Sequence, residues 1–175
     1  QVPFDFEKHG KDALTKYTSV RSRYEEFTRK MESVLKEILH ANKIKVHSVT
    51  SRAKDKDSFL RKAQKPNPDN PNKPYYSDPL NEVTDLAGVR IITYLLETVE
   101  LVSNLIESEF EIVEKSDRMK ELLAEDKFGY QSIHYLVKLS EPRVLLSEYR
   151  NFSGVICEIQ VKTILQHSWA EIEHD

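Results

Sequence analysis

Asp85 and Glu158 are the acidic side chains whose surroundings suit chemistry. Asp85 lies in VTDLAGVR, just ahead of an apolar run, and Gly88 lets the backbone turn tightly there. Glu158 lies inside the apolar run GVICEIQV. A carboxylate at a strand entrance is well placed for a hard cation. Two of them could share a magnesium ion and bridge it to phosphate oxygens. Two acids on separate strands are more often surface charges, so this pair does not decide the matter alone. Cations gather elsewhere. Between Lys43 and Lys65 stand Lys43, Lys45, Arg52, Lys54, Lys56, Arg61, Lys62 and Lys65, opposed only by Asp55 and Asp57. From Glu158 to Asp175 the balance reverses, with Glu158, Glu171, Glu173 and Asp175 against Lys162. A basic segment beside an acidic one suits an anionic substrate held with a divalent cation. In FGYQSIH, Tyr130 is placed to stack on a base, although a tyrosine at a strand start more often packs against its neighbours. His134, taken singly, reads as a partly buried histidine.

These groups need a scaffold, and the pattern of apolar residues supplies one. Leu14, Tyr17, Tyr24, Phe27, Met31, Val34, Leu35 and Ile38 recur at helical spacing and predict a long amphipathic first helix. KIKVHSV at 43–49 alternates and predicts a strand, and 55–65 predicts a short basic helix. Residues 66–80, rich in Pro and Asn, predict a loop within one domain. Strands follow at 89–95, 111–116, 132–139 and 154–163, with a helix over 97–110 and another from Ile164 onward. The helix at 97–110 should turn Val99, Val102, Leu105 and Ile106 inward. Residues 118–126 are polar and carry no clear pattern. Strands interleaved with helices, joined partly by short links, predict an α+β fold with a mixed sheet.

Three of those strands are one-sided. Val89, Ile91, Thr93 and Leu95 share a face opposite Arg90, Ile92 and Tyr94; Ile133, Tyr135, Val137 and Leu139 lie opposite His134 and Lys138; Val155, Cys157, Ile159 and Val161 lie opposite Ile156, Glu158 and Gln160. A sheet with one wet face gives the same alternation. The mixture of Arg90, His134 and Glu158 with bulky residues favours a working face.

Composition sets outer bounds. The chain has 175 residues and a formal net charge of -3, which suits one domain with a sizeable core and argues against a general nucleic-acid coat or an anionic-membrane binder. Cys157 is the single cysteine, so no internal disulfide forms, and its apolar run predicts a small packed hydrophobe. No apolar stretch reaches membrane-spanning length and no secretory signal is visible, which predicts a cytoplasmic protein without membrane contact. The start at Gln1 suggests trimmed ends or a piece of a longer protein.

Four motifs, in order, resemble the synthetase domain of the RelA/SpoT alarmone enzymes and small alarmone synthetases. They are R-x-K-x-x-x-S-x-x-x-K at Arg52, Lys54, Ser58 and Lys62; TDLAGVRII at 84–92; GYQSIH at 129–134; and EIQVKT followed by WAEIEH within 158–174. The resemblance implies a nucleotidyltransferase-like mixed sheet flanked by helices over 43–175, preceded by a helical part at 1–42. It implies Mg2+-dependent transfer of pyrophosphate from ATP to the 3′-hydroxyl of GDP or GTP. Asp85 then matches the metal-binding aspartate, and Glu158 the acid that helps hold the metal and serves as general base. Arg52, Lys54, Ser58, Lys62 and Arg90 match the ATP-binding set; Tyr130, His134 and Gln160 match the guanine-nucleotide site. The chain departs from the family pattern in EDKFGYQ, where Lys127 stands shifted from the usual acceptor-phosphate cation. Lys162 stands where Arg is common, and His167 where many small synthetases carry Asn but the long enzymes carry His, so the resemblance implies Lys127 and His167 at the guanine-nucleotide site as well. Some relatives use the 3′ end of tRNA as acceptor. That needs extra basic surface, and Lys115, Arg118, Lys120 and Lys127 are offset by Glu121, Glu125 and Asp126. A nucleotide-binding sensor without activity is a further alternative, and a homo-oligomer remains compatible with the sequence.

Overall fold

A computed structural model describes residues 2–117 and 132–173. The expectations placed on Lys127, Tyr130 and the polar stretch at 118–126 fall outside the described residues. Helix α1 (Phe6–Ala41) starts where the Asp5 side chain accepts the Lys8 amide at 2.9 Å, covering one of the orphan donors of a helix start. It ends at Asn42, followed by Lys43 with a positive φ of 56°. That left-handed residue swings the chain out of the helix and toward the sheet.

Strand β1 (Ser48–Ala53), helix α2 (Lys56–Ala63), the single turn α3 (Pro79–Glu82) and strand β2 (Ala87–Thr93) follow. Then come α4 (Leu96–Glu109), β3 (Phe110–Asp117), β4 (Ile133–Leu139), the short α5 (Glu141–Val144), a 3-10 turn at Arg150–Phe152, β5 (Cys157–Thr163) and α6 (Ile164–Glu173). Among the described residues the strands form one sheet in the order β1-β2-β5-β4-β3. The central β2–β5 pair is parallel, and the other pairs are antiparallel. The α+β class, the mixed sheet and the long first helix agree with the sequence.

The core lies on one face of this sheet. Phe27, Met31, Val34 and Leu35 of α1 and Val99, Val102 and Ile106 of α4 bury against Val89, Ile91, Tyr135, Val137, Ile159 and Val161. Burying large apolar side chains in this way is the main stabilising term, worth about 1.5–3 kcal/mol for each one removed from water. The N-terminal half of α1 serves a second cluster, in which Ala13 and Tyr17 meet Phe59 and Ala63 of α2 together with Val83 and Leu86. Gly10 permits this contact, because a Cβ there would stand 2.3 Å from the Gln64 side chain. Cys157 is fully buried, and burial pushes its thiol pKa up, as expected of a packed hydrophobe.

Four sequence expectations are corrected. Gly88 makes no tight turn, because it lies inside β2 and pairs with Arg52 and Glu158. Residues 43–47 are not a strand, and β1 begins only at Ser48. Ser48 pairs with Ile92 and β2 ends at Thr93, so beyond the His47 amide, which donates to the Ile92 carbonyl at 2.7 Å, residues 43–46 have no ladder to join. Ile44 and Val46 pack against the core without one. Leu95 does not face inward: it stands at the start of α4 and is 61% exposed. Val155 precedes β5 rather than belonging to it.

Candidate functional site

The face of the sheet opposite the core carries the charged residues, and the strand registers line them up in two rows. In one row Arg52 of β1 pairs with Gly88 of β2, Gly88 with Glu158 of β5, and Glu158 with Leu136 of β4. In the next, Thr50 pairs with Arg90, Arg90 with Gln160, and Gln160 with His134. A cleft of about 280 Å³ opens over these rows. Arg52, Lys54, Ser58, Asp85, Arg90, Glu158 and Gln160 line it, together with Gly88 in the floor. A Cβ at Gly88 would meet the backbone oxygens of Arg52 and Glu158 at ordinary contact distances of 3.9 and 4.0 Å.

Asp85, on the segment entering β2, is held by two lysines. The Lys54 ammonium donates to Oδ2 at 2.8 Å, and the Lys62 ammonium stands 3.0 Å from Oδ1. Burial raises the carboxyl pKa, but the two ammonium groups outweigh it and leave the pKa below the usual carboxylate range. Lys54 is fixed from behind. Its carbonyl accepts from the Tyr17 hydroxyl at 2.6 Å and from Arg21 at 3.1 Å, and its amide donates to the Leu86 carbonyl at 2.9 Å. Helix α1 therefore sets the position of one of the cleft's cations.

Lys62 comes from α2, whose start is fixed by Asp55. That carboxylate accepts the Ser58 amide at 2.9 Å and the Ser58 hydroxyl at 2.6 Å. The same hydroxyl accepts from Arg61 at 2.9 Å. Ser58 thus lines the cleft, yet its hydroxyl is already engaged by its own helix.

On the other side, Gln160 Nε2 donates to Glu158 Oε1 at 2.6 Å, and His134 Nδ1 stands 3.8 Å from the same oxygen. His134 Nε2 lies 2.6 Å from the Ser132 hydroxyl. Ser132 therefore holds the imidazole edge that Glu158 does not face, a positioning contact the sequence reading missed although Ser132 stands in the GYQSIH motif.

His167 is not on the cleft wall. It lies on α6, beside a group the sequence reading did not assign. Lys162 is only 2% exposed, and burial, aided by the nearby Arg90 charge and opposed by Glu171, lowers its pKa to about 8. Burial and the charges of Lys162 and Arg90 likewise lower the His167 pKa. Glu158 lines the cleft, while the Glu171 side chain is 69% exposed on α6.

The donor set suits a magnesium ion in its chemistry. Asp85 and Glu158 offer hard carboxylate oxygens to one cleft, and in the free protein the Lys54 and Lys62 ammonium groups stand where a cation would meet Asp85. No group of three or more His, Cys, Asp or Glu side chains gathers as a metal cage among the described residues.

A family model for a region found in RelA/SpoT proteins matches residues 51–175. The chain belongs to the RelA/SpoT family. Its relatives include the GTP pyrophosphokinase YjbM of Bacillus subtilis (strain 168), 29% identical over 137 residues that make up 74% of this chain and 55% of the relative. Another is the uncharacterized protein Rv1366 of Mycobacterium tuberculosis (strain ATCC 25618 / H37Rv), 32% identical over 70% of this chain and 36% of the relative. The chain thus spans about half, or less, of the length of these curated relatives. Among solved structures, small alarmone synthetase 1 from Bacillus subtilis bound to its product pppGpp superposes with a TM-score of 0.66. The two are 26% identical, over 91% of this chain and 78% of the other. The described residues therefore share the fold of that synthetase around the cleft. No helix among the described residues is long and apolar enough to cross a membrane.

Proposed function

We propose that this RelA/SpoT domain is a GTP pyrophosphokinase, moving the β,γ-pyrophosphate of ATP to the 3′-hydroxyl of GDP or GTP and releasing AMP. The observation that carries this reading is the meeting in one cleft of Asp85, Lys54 and Arg52 with Glu158 and Arg90. The relatives' named activity and the solved neighbour with bound pppGpp point the same way.

The reaction asks for alignment, charge neutralisation and a proton acceptor, and little covalent help. Lys54 and Lys62 neutralise the phosphates of ATP, while Arg52 and Arg90 offer planar guanidinium groups that grip phosphate or stack on the adenine. Asp85 and Glu158 would hold Mg2+, which supplies charge neutralisation and polarisation at the phosphorus under attack. The 3′-oxygen forms its new bond to the β-phosphorus as the bond from that phosphorus to the oxygen bridging to the α-phosphate breaks. AMP departs with that oxygen, and the hydroxyl proton passes to Glu158. Gln160 and His134 orient the Glu158 carboxylate, and Ser132 steadies the His134 ring. Tyr130 and Lys127 are assigned to the guanine and the acceptor phosphates from their motif positions, and His167 is assigned to the same nucleotide from α6.

The test is direct. Incubate the chain with γ-labelled ATP, Mg2+, and GDP, GTP or deacylated tRNA in separate reactions. Label in a guanosine product is expected. Label in tRNA alone would replace the acceptor, and no transfer to any of the three would overturn the activity.

A further inference from the structure

We propose that Lys54 and Lys62 form a latch on Asp85, so that the free protein binds divalent metal weakly and gains its metal site when nucleotide phosphates draw the lysines away. This inference rests on the proposed function and concerns the order in which that site fills.

The geometry behind it is specific. Asp85 offers two oxygens, and each faces a different ammonium group, Lys54 at 2.8 Å and Lys62 at 3.0 Å. The carboxylate side chain is only 25% exposed. Water therefore screens the attraction incompletely, and both contacts are stronger than surface ion pairs of the same length. A divalent cation approaching Asp85 meets two positive charges within hydrogen-bonding distance of its ligand atoms. To bind, it must displace at least one of them or share an oxygen with it, and either costs affinity.

The two arms differ in freedom. Lys54 is 12% exposed and its backbone is pinned by Tyr17, Arg21 and Leu86. Lys62 is 38% exposed and reaches Asp85 from α2 on a flexible stem. Both ammonium groups need an anionic partner when they leave Asp85, and a triphosphate laid along the cleft supplies one. The same lysines then hold phosphate while the freed Asp85 faces the metal. Nucleotide and metal consequently bind with positive cooperativity, and each raises the affinity for the other by the same factor. The latch also keeps an empty site from capturing a metal ion without its nucleotide.

The experiment reads metal affinity rather than turnover. Titrate Mn2+ into the chain and follow free Mn2+ by electron paramagnetic resonance, using wild type, Lys62→Met, Lys54→Met and Asp85→Asn. The wild-type chain is expected to bind Mn2+ weakly, and Lys62→Met to bind it about tenfold more tightly, in line with removing one adjacent positive charge from a partly buried carboxylate. Asp85→Asn should abolish the tightening when combined with Lys62→Met. An unchanged Mn2+ affinity in Lys62→Met with a wild-type circular dichroism spectrum would overturn the latch. Should Lys54→Met lose its fold, Lys62→Met carries the decision alone, because its side chain is partly solvated on α2. Wild-type transfer of label to a guanosine nucleotide tests the activity separately, so a failed latch and a failed activity give different results.

Discussion

Asp85 and Glu158, the residues of the proposed chemistry, stand in unlike surroundings. Asp85 sits between two lysines, a setting that suits a metal ligand and a phosphate-binding pair. Glu158 sits beside Gln160 and His134, which hold one of its carboxylate oxygens in place. Asp85→Asn and Glu158→Gln should each lower transfer by at least about a hundredfold, as removal of an electrostatic or acid–base group does. The labelled-ATP assay checks this, with an unchanged far-ultraviolet spectrum showing that the fold survives. Gly88 gives a second test at the same scale. A methyl group fits in the floor, with its nearest neighbours at 3.9 and 4.0 Å, so Gly88→Ala should melt near the wild-type temperature. Gly88→Val projects further into the space between Arg52 and Glu158 and should raise the apparent KM for ATP while leaving the melting temperature close to that of Gly88→Ala. Asp85, Glu158, Arg52, Lys54 and Arg90 were legible one by one in the sequence. Ser132 was not, because a serine two residues before a histidine on a strand carries no signal of its own until the ring position is known.

At the scale of elements, the helices that deliver site residues are fixed by short local devices. Asp55 starts α2 and thereby aims Lys62 at Asp85. Its hydrogen bonds from Ser58 keep its carboxyl pKa below the usual value. The sign follows from linkage: this contribution is present above the unfolded carboxylate pKa and fades as pH falls through the lowered folded value. Helix α6 begins with a reciprocal cap, in which Gln166 Oε1 accepts the Thr163 amide at 2.8 Å and Thr163 Oγ1 accepts the Gln166 amide at 3.2 Å. Thr163→Ala should cost about 1 kcal/mol of stability by urea unfolding, the usual worth of such a cap. Segment types were readable here because periodicity and capping are local. The failure at 43–47 shows where that stops. Alternation in KIKVHSV matches a strand, but a strand also needs a neighbour to pair with, and β2 ends too early to provide one.

Over the whole molecule, the working face is half covered. Arg52, Arg90 and Glu158 remain at the cleft, whereas Lys162, on the same strand as Glu158, is buried. Around Lys162 stand Arg90 from β2 and Glu171 from α6, with His167 of α6 also under its charge. Its pKa of about 8 lies below the ordinary lysine value, so the unfolded chain binds more protons than the folded one between pH 8 and about 10.5. Stability from this group therefore rises with pH across that window, and the burden of its charge is present in full below it. Lys162→Met should raise the melting temperature at pH 7, and its advantage over wild type should shrink as pH climbs toward 10. A melting-temperature series across that range on both proteins checks the sign; an advantage that grows with pH would contradict it.

The sequence alone determined which residue types were present, in what motif order, and which side of each strand each one occupied, because side chains alternate with a period of two whatever the fold. Only the tertiary structure decided who stands beside whom. The order β1-β2-β5-β4-β3 brings Glu158 next to Gly88 and Arg52, three residues from separate strands. It also closes two lysines on Asp85 and buries Lys162 beside α6. Strand order and helix placement are set by long-range packing, and no local pattern in the chain encodes them.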